Sequence, residues 1–236
     1  EQLGVSIPMY FSVENSTTRP EYDPLNPDVP FELALRKFET DDERDEYRQI
    51  ALDQLIRKNI SFNNVRKLKS NPEAPARFYD ISNFSFSYAV GMVSQTNAQI
   101  QQYDFKTNRG NVTYSYSPKP LNFEPFKSSG ALNKPYLSLI KDFNLNLSPS
   151  LILARLDVDR RFLRSQYRND QLSTSGVDPL FQKSFFMNRF YTLNWDLTKN
   201  LRVDYTGTVM AVIDEPQGDL DTQEKIDSVR TNFWNF

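Results

Sequence analysis

KSFFMNRFYTLNWDLTKNLRVDYTGTVMAVID, residues 183–214, alternates apolar and polar side chains almost without a break. Side chains two apart share a face of a strand, so Tyr191, Leu193, Trp195 and Leu197 fall together, and so do Leu201, Val203, Tyr205, Gly207, Val209, Ala211 and Ile213. A three-residue loop of Thr198, Lys199 and Asn200 joins two strands, with Asn200 suited to a left-handed conformation near the loop's end. Placing Leu197 opposite Leu201 sets the register. Trp195 then meets Val203, Leu193 meets Tyr205 and Tyr191 lies over Gly207, while Asp196 meets Arg202 and Thr192 meets Thr206 on the other face. Both faces agree on one hairpin.

Working outward, the same period recurs. Residues 3–13 place Leu3, Val5, Ile7, Met9, Phe11 and Val13 on one face, with Pro8 marking a bulge or an open side. Ile60 and Phe62 share a face in KNISFNNVRK. Residues 81–93 carry Phe84, Phe86, Tyr88, Val90 and Met92 against a small row of Ser85, Ser87, Ala89 and Gly91, which implies crowding on that side. In the return strand, about 102–116, the apolar phase shifts between Phe105 and Val112, which predicts a bulge near Arg109 and Gly110. Residues 139–166 read as a further hairpin turning at Ser148 and Pro149. That register pairs Leu145 with Ile152, Phe143 with Ala154 and Asp142 with Arg155. The tail beyond Ile213 is an acidic loop leading to an aromatic ending that begins another strand.

Between the first two strands the pattern breaks. Prolines at 20, 24, 27 and 30 exclude regular structure over residues 15–30. Pro30 opens a short helix carrying Phe31, Ala34, Leu35 and Phe38. Thr40 and Glu43 form a capping box for a second helix, whose apolar stripe is Tyr47, Ile50, Ala51 and Leu55 and whose basic end is Arg57 and Lys58. The stripe reads as packing on neighbouring protein rather than as a docking helix. The organisation is therefore a strand at 1–14, a Pro-rich and helical insertion at 15–58, and further strands and loops of the same domain at 59–236.

Composition narrows the function. The chain of 236 residues has no Cys and no His, which removes thiol nucleophiles, imidazole bases, Cys/His zinc sites and disulfides together. A net charge of −2 gives no electrostatic case for nucleic acid. Asp157 and Asp159 share a strand face and are flanked on it by Arg155 and Arg161, which reads as a charge-compensated wall in preference to a catalytic dyad. The acids of DLDTQEKID, residues 219–227, lack the glycine and spacing of a calcium loop. No enzyme, no cofactor and no metal site is expected. Mean hydropathy is −0.61, and no run approaches the roughly 20 apolar residues of a membrane-spanning helix, but strands that cross a membrane are polar at every second residue. The strands, about eight in number, are long for a soluble sandwich, whose strands run about five or six residues.

These residues also carry a resemblance. DPLNPDVP, the helix after it, FNNVRK, YDISNFSFSY, LIKDFNLNLSPS, LNWDLTKNLRVDY and IDEP, in that order, resemble the SprA/Sov family, the outer-membrane translocon of type IX secretion in Bacteroidetes. The segment AVGMVSQTNAQIQQYDFKTNRG departs from the family pattern. The resemblance implies an internal segment of one very large antiparallel transmembrane β-barrel at the cell outer membrane, passing folded cargo. It implies outer-membrane lipids, a PorV-type barrel partner, a plug protein and secreted cargo with C-terminal signal domains as partners, and links to gliding motility and the cell surface. In such a wall Asp142, Arg155, Asp157, Asp159, Arg161, Asp196, Arg202 and Asp204 face the lumen, and Tyr191, Leu193, Trp195, Val203, Tyr205 and Val209 face lipid. Short turns near Ser148 and Lys199 fall on the periplasmic side with residues 15–58, and the loop at 167–182 falls outside. The competing expectation is a soluble β-sandwich binding module, such as a surface adhesin or carbohydrate-binding domain.

Overall fold

A computed structural model describes residues 4–69, 71, 77–128, 138–168 and 177–235. The elements in order are β1 (Val5–Ser6), β2 (Met9–Thr18), β3 (Tyr22–Asp23), β4 (Asn26–Pro30), α1 (Phe31–Leu35), α2 (Asp41–Ala51), β5 (Asp53–Lys67), β6 (Phe84–Thr96) and β7 (Ile100–Tyr116). There follow β8 (Asn122–Phe123), α3 (Ser138–Lys141), β9 (Leu145–Asn146), β10 (Leu151–Tyr167), β11 (Leu180–Asp196), β12 (Arg202–Val212) and α4 (Gln223–Trp234). The chain is all-β in its main body. One eight-stranded antiparallel sheet runs β1-β5-β6-β7-β10-β11-β12, with β2 also on the outer side of β5. Among the described residues this sheet does not close on itself.

The hairpin at 183–214 forms in the expected register. Trp195 faces Val203, Leu193 faces Tyr205, Tyr191 faces Gly207, Thr192 faces Thr206 and Asp196 faces Arg202. The ladder ends there, and the turn closes differently. The Thr198 hydroxyl accepts from the backbone N–H of Asn200 and Leu201, and the Thr198 N–H donates to the Leu201 carbonyl, so Asn200 needs no left-handed backbone. A β-carbon added at Gly207 would lie 2.8 Å from the Tyr205 hydroxyl, so the ring covering this glycine is that of Tyr205, two residues back.

Four expectations are corrected. Residues 139–150 do not form a strand of a hairpin. Both sides of β10 are taken, by β7 with Ile152 opposite Tyr116 and by β11 with Ile152 opposite Leu193, so the upstream segment folds as α3 and a short β8–β9 pair. The pairings of Leu145, Phe143 and Asp142 with β10 are absent, and Asp142 sits in the turn after α3. In β7 no bulge occurs at Arg109 and Gly110. The β6–β7 ladder is continuous from Phe84–Tyr114 to Gln95–Tyr103, so Tyr103 and Phe105 lie on the opposite face from Val112, Tyr114 and Tyr116. The irregularity lies at the far end, opposite Gln166 and Tyr167. In the insertion, α2 ends at Ala51 and β5 begins at Asp53, so Leu55, Arg57 and Lys58 belong to a strand. β2 continues to Thr18 and a small β3–β4 pair forms among the prolines, which moves the insertion's bounds from 15–58 to 19–52. The tail forms a helix, α4, instead of a strand.

The first strand does break at Pro8. Its carbonyl accepts from Asn63 N–H where β5 slips between Phe62 and Val65, and there Asn64 takes a φ of 54° with its N–H on the Ser87 hydroxyl. The capping box forms as expected, with Thr40 and Glu43 each accepting from the other's backbone N–H. Phe31, Leu35 and Ala51 make a small core of their own, with Tyr47 against it.

Removing one strand from the count also reverses the expected placement of the loops. Strands β2, β6, β10 and β12 finish at the end called upper here, and β5, β7 and β11 begin there. The insertion 19–52, the turn 97–99, the end of β10 and the start of β11 therefore share the upper end, with Lys199 at the lower end. Residues 15–58 do not lie on the Lys199 side. Most of the loop expected at 167–182 lies outside the described residues.

Candidate functional site: the two faces of the sheet

Register fixes which side chains share a face. Following the pairs from β12 to β2, one face carries Val203, Tyr205 and Val209, then Tyr191, Leu193 and Trp195, then Ile152, Ala154, Leu156 and Val158. It continues through Val112, Tyr114 and Tyr116, then Phe84 to Met92 at every second residue, then Ile60 and Phe62, then Met9, Phe11 and Val13. This face is apolar over most of its height. Many of its residues are exposed, Phe11 and Tyr205 among them at 63% and 57%. Of the six residues expected to face lipid, Tyr191, Val203, Tyr205 and Val209 are exposed, and Leu193 and Trp195 are half-buried. The Trp195 ring N–H donates to the Asn146 carbonyl at 2.9 Å, so the segment before β10 shields it at the lower rim.

The opposite face is polar and internally paired. Arg155 holds Asp157 through Nε to Oδ1 and Nη2 to Oδ2, both at 2.8 Å, and Asn111 Nδ2 donates to the same Asp157. Arg161 holds Asp159 at 2.9 and 3.2 Å, with Arg109 3.6 Å away on the next strand. Arg202 lies 2.9 Å from Asp204 and 3.6 Å from Asp196. Seven of the eight residues expected on a polar wall thus share one face, and Asp142 does not join them. The row expected to be crowded is crowded. A β-carbon on Gly91 would lie 2.7 Å from Thr107 Oγ1 and 3.0 Å from Asn59 Oδ1. Apolar exceptions stand near the β12 edge, where Phe186, Met210 and Val212 are exposed on this face.

Each carboxylate of the Asp157 and Asp159 pair has its own guanidinium, from Arg155 and Arg161. In the acidic tail, Lys225 pairs with Asp221 at 2.7 Å and holds its carboxyl below the ordinary range through that hydrogen bond, Arg164 approaches Asp219 at 3.4 Å, and Arg230 approaches Asp227 at 3.7 Å. No group of three or more acids with metal-binding geometry occurs among the described residues.

One feature escaped the sequence reading. The tail after β12 turns back over the apolar face as a strap. Glu215, 2% exposed on its side chain, receives Arg160 at 2.5 and 2.9 Å, Lys183 Nζ donates to the Pro216 carbonyl at 2.7 Å, and α4 then packs Val229 and Phe233 on Phe185, Met187, Ala211 and Ile213. The helix carried a signal, since Thr222 caps it and Ile226, Val229 and Phe233 recur at helical spacing. The insertion holds a second buried contact. Asp23 accepts from the Tyr47 hydroxyl and the Leu25 N–H, and burial first, then this hydrogen bond and the Asp23 charge, push the Tyr47 phenol above its ordinary pKa.

No described helix is long and apolar enough to cross a membrane. No family model and no curated protein matches the chain.

Proposed function

We propose that the chain is a wall segment of a giant outer-membrane β-barrel that passes folded proteins, of the SprA/Sov kind, at the cell outer membrane. The observation that carries this reading is the two-faced sheet on long strands. β5, β7, β10 and β11 have 15 to 17 residues each, more than the roughly 9 to 11 that cross a bilayer at a tilt. One face is a broad apolar surface left largely bare, the other is polar with its charges paired, as in a barrel with lipid outside and water within. Among the described residues both sheet edges are open, at β2 and β12, and unpaired long strands in water invite aggregation unless other strands continue the sheet. The polar wall does no chemistry in this proposal. It lines a conduit whose partners are outer-membrane lipids, a PorV-type barrel, a plug protein and cargo carrying C-terminal signal domains.

A second reading, a soluble binding module with a two-layer core, draws on α4. The helix covers part of the apolar face as a second layer does, and its outer side carries Glu224, Asp227 and Arg230. Fractionation of the intact protein separates the two. Recovery only with detergent supports the wall; a monodisperse detergent-free monomer supports the soluble module and contradicts the wall.

A further inference from the structure

We propose that the upper rim of the apolar face binds the phosphate groups of anionic membrane lipids, with Lys58 and Lys106 as its contacts. This rests on the wall reading and deepens it, because it names the lipid and orients the sheet.

The register brings the lysines together. Val13 pairs with Lys58, Lys58 with Met92, Met92 with Lys106, Lys106 with Phe162, and Phe162 with Lys183, so Lys58, Lys106 and Lys183 occupy alternate strands of one row across the apolar face. Below the row lie Val90, Tyr88 and Phe86 on β6 and Ile60 and Phe62 on β5. Above it on the same face are Ser94, Thr96, Asp104 and Gln102. On β6 the row is where the apolar run ends; on β7 and β10 polar Asn108 and Arg160 already stand below it, and on β5 Ile56 stands above it. Strands about 4.8 Å apart place Lys58 and Lys106 roughly 10 Å from each other, and a strand tilt of about 40° shifts them roughly 6 Å in height, within the reach of two flexible lysine stems.

The two cations are available. Both side chains are exposed and neither makes an ion pair with a described residue, while Lys183 is turned to the strap carbonyl of Pro216. Of the nearest acids of this face, Glu215 is held by Arg160, and Asp104, two residues from Lys106, accepts from Ser94 at 2.7 Å and Gln102 at 2.6 Å. The lower rim differs, carrying Tyr114, Tyr116, Tyr205 and Trp195 with Lys67 at one corner. Lysines just beyond hydrocarbon attract anionic headgroups, whereas aromatic rings suit an interface of either charge.

The test uses the full-length protein in detergent, titrated with phosphatidylglycerol, phosphatidylcholine or inorganic phosphate, with bound lipid read by native mass spectrometry. The wild type is expected to retain phosphatidylglycerol over phosphatidylcholine. Lys58→Gln and Lys106→Gln each weaken that binding about fivefold, and the double variant about 25-fold. Lys199→Gln, at the lower end, leaves it unchanged. Equal retention of the two lipids, or undiminished phosphatidylglycerol binding by the double variant, overturns the proposal. Competition by inorganic phosphate as effective as the lipid overturns the lipid assignment in favour of a free-anion site. A protein that takes up neither lipid and stays dispersed without detergent overturns the wall reading itself, and this proposal with it.

Discussion

The apolar face has two sectors that obey the same alternation and end differently. On β2, β5 and β6 it lies bare, with Phe11 63% and Phe86 44% exposed; around Phe185 and Met187 of β11 and Val158 of β10 it is covered, with Met187 2% exposed beneath the strap and α4. Charge makes the difference. In the covered sector Arg160, Lys183 and Arg164 interrupt the apolar row, and each cation meets a strap group: Glu215, the Pro216 carbonyl and Asp219. In the bare sector the apolar row runs unbroken from Phe84 to Met92. Alternation decides which side chains share a face, and where Arg160, Lys183 and Arg164 stand on it the tail supplies their partners.

The largest expected effect breaks the bare sector. Tyr88→Arg places a charge at mid-height of β6, midway between the Phe84–Tyr114 pair and the Lys58–Met92–Lys106 row, and is expected to cost about 2–4 kcal/mol if the face meets hydrocarbon there, read as loss of assembled protein. A change within about 0.5 kcal/mol, ordinary for a water-exposed position, would contradict the lipid reading. Next comes the covered sector. Glu215→Ala leaves Arg160 without its partner under the strap and is expected to destabilise by about 2–3 kcal/mol, with α4 released to protease before the sheet yields. Unaltered protection of α4 would show that apolar packing alone holds the strap.

A smaller effect tests the insertion, which belongs to neither sector. Because the Tyr47 pKa is raised, the folded phenol keeps its proton while the unfolded one loses it near pH 10. The stabilisation is fully present below pH 10 and declines as pH rises beyond it. Hydrogen exchange of α2 should therefore quicken above pH 10, and Tyr47→Phe should flatten that dependence. The smallest effect concerns the polar wall. Asp157→Asn weakens one paired site, worth about 0.2–1 kcal/mol, so secretion is expected to fall only modestly. Complete loss with normal abundance would sink the passive-wall reading.

The hairpin at 183–214 was legible because its information is local: alternation on both strands, a polar turn between them, and pairs that agree on both faces. That Arg155, Asp157, Asp159 and Arg161 share one face was legible for the same reason, since they lie on one strand. Residues 139–150 misled because alternation is necessary for a half-buried strand and not sufficient. The place beside β10 went to β7, which offers a ladder from Tyr116 to Gln102. The β7 phase change misled in another way, since a strand whose faces exchange polarity along its length looks in sequence like a strand with an extra residue. The strap had no local signature. Arg160 and Glu215 are 55 positions apart, and nothing near either residue announces the other.

Lipid contact of the bare sector is tested most directly by spin labels on single cysteines in the full-length protein, placed at Phe86 and at its neighbour Ser87 on the opposite face. The expected result is that dissolved oxygen relaxes the label at Phe86 and a water-soluble nickel chelate relaxes the label at Ser87. Equal access of the nickel chelate to both labels would contradict it.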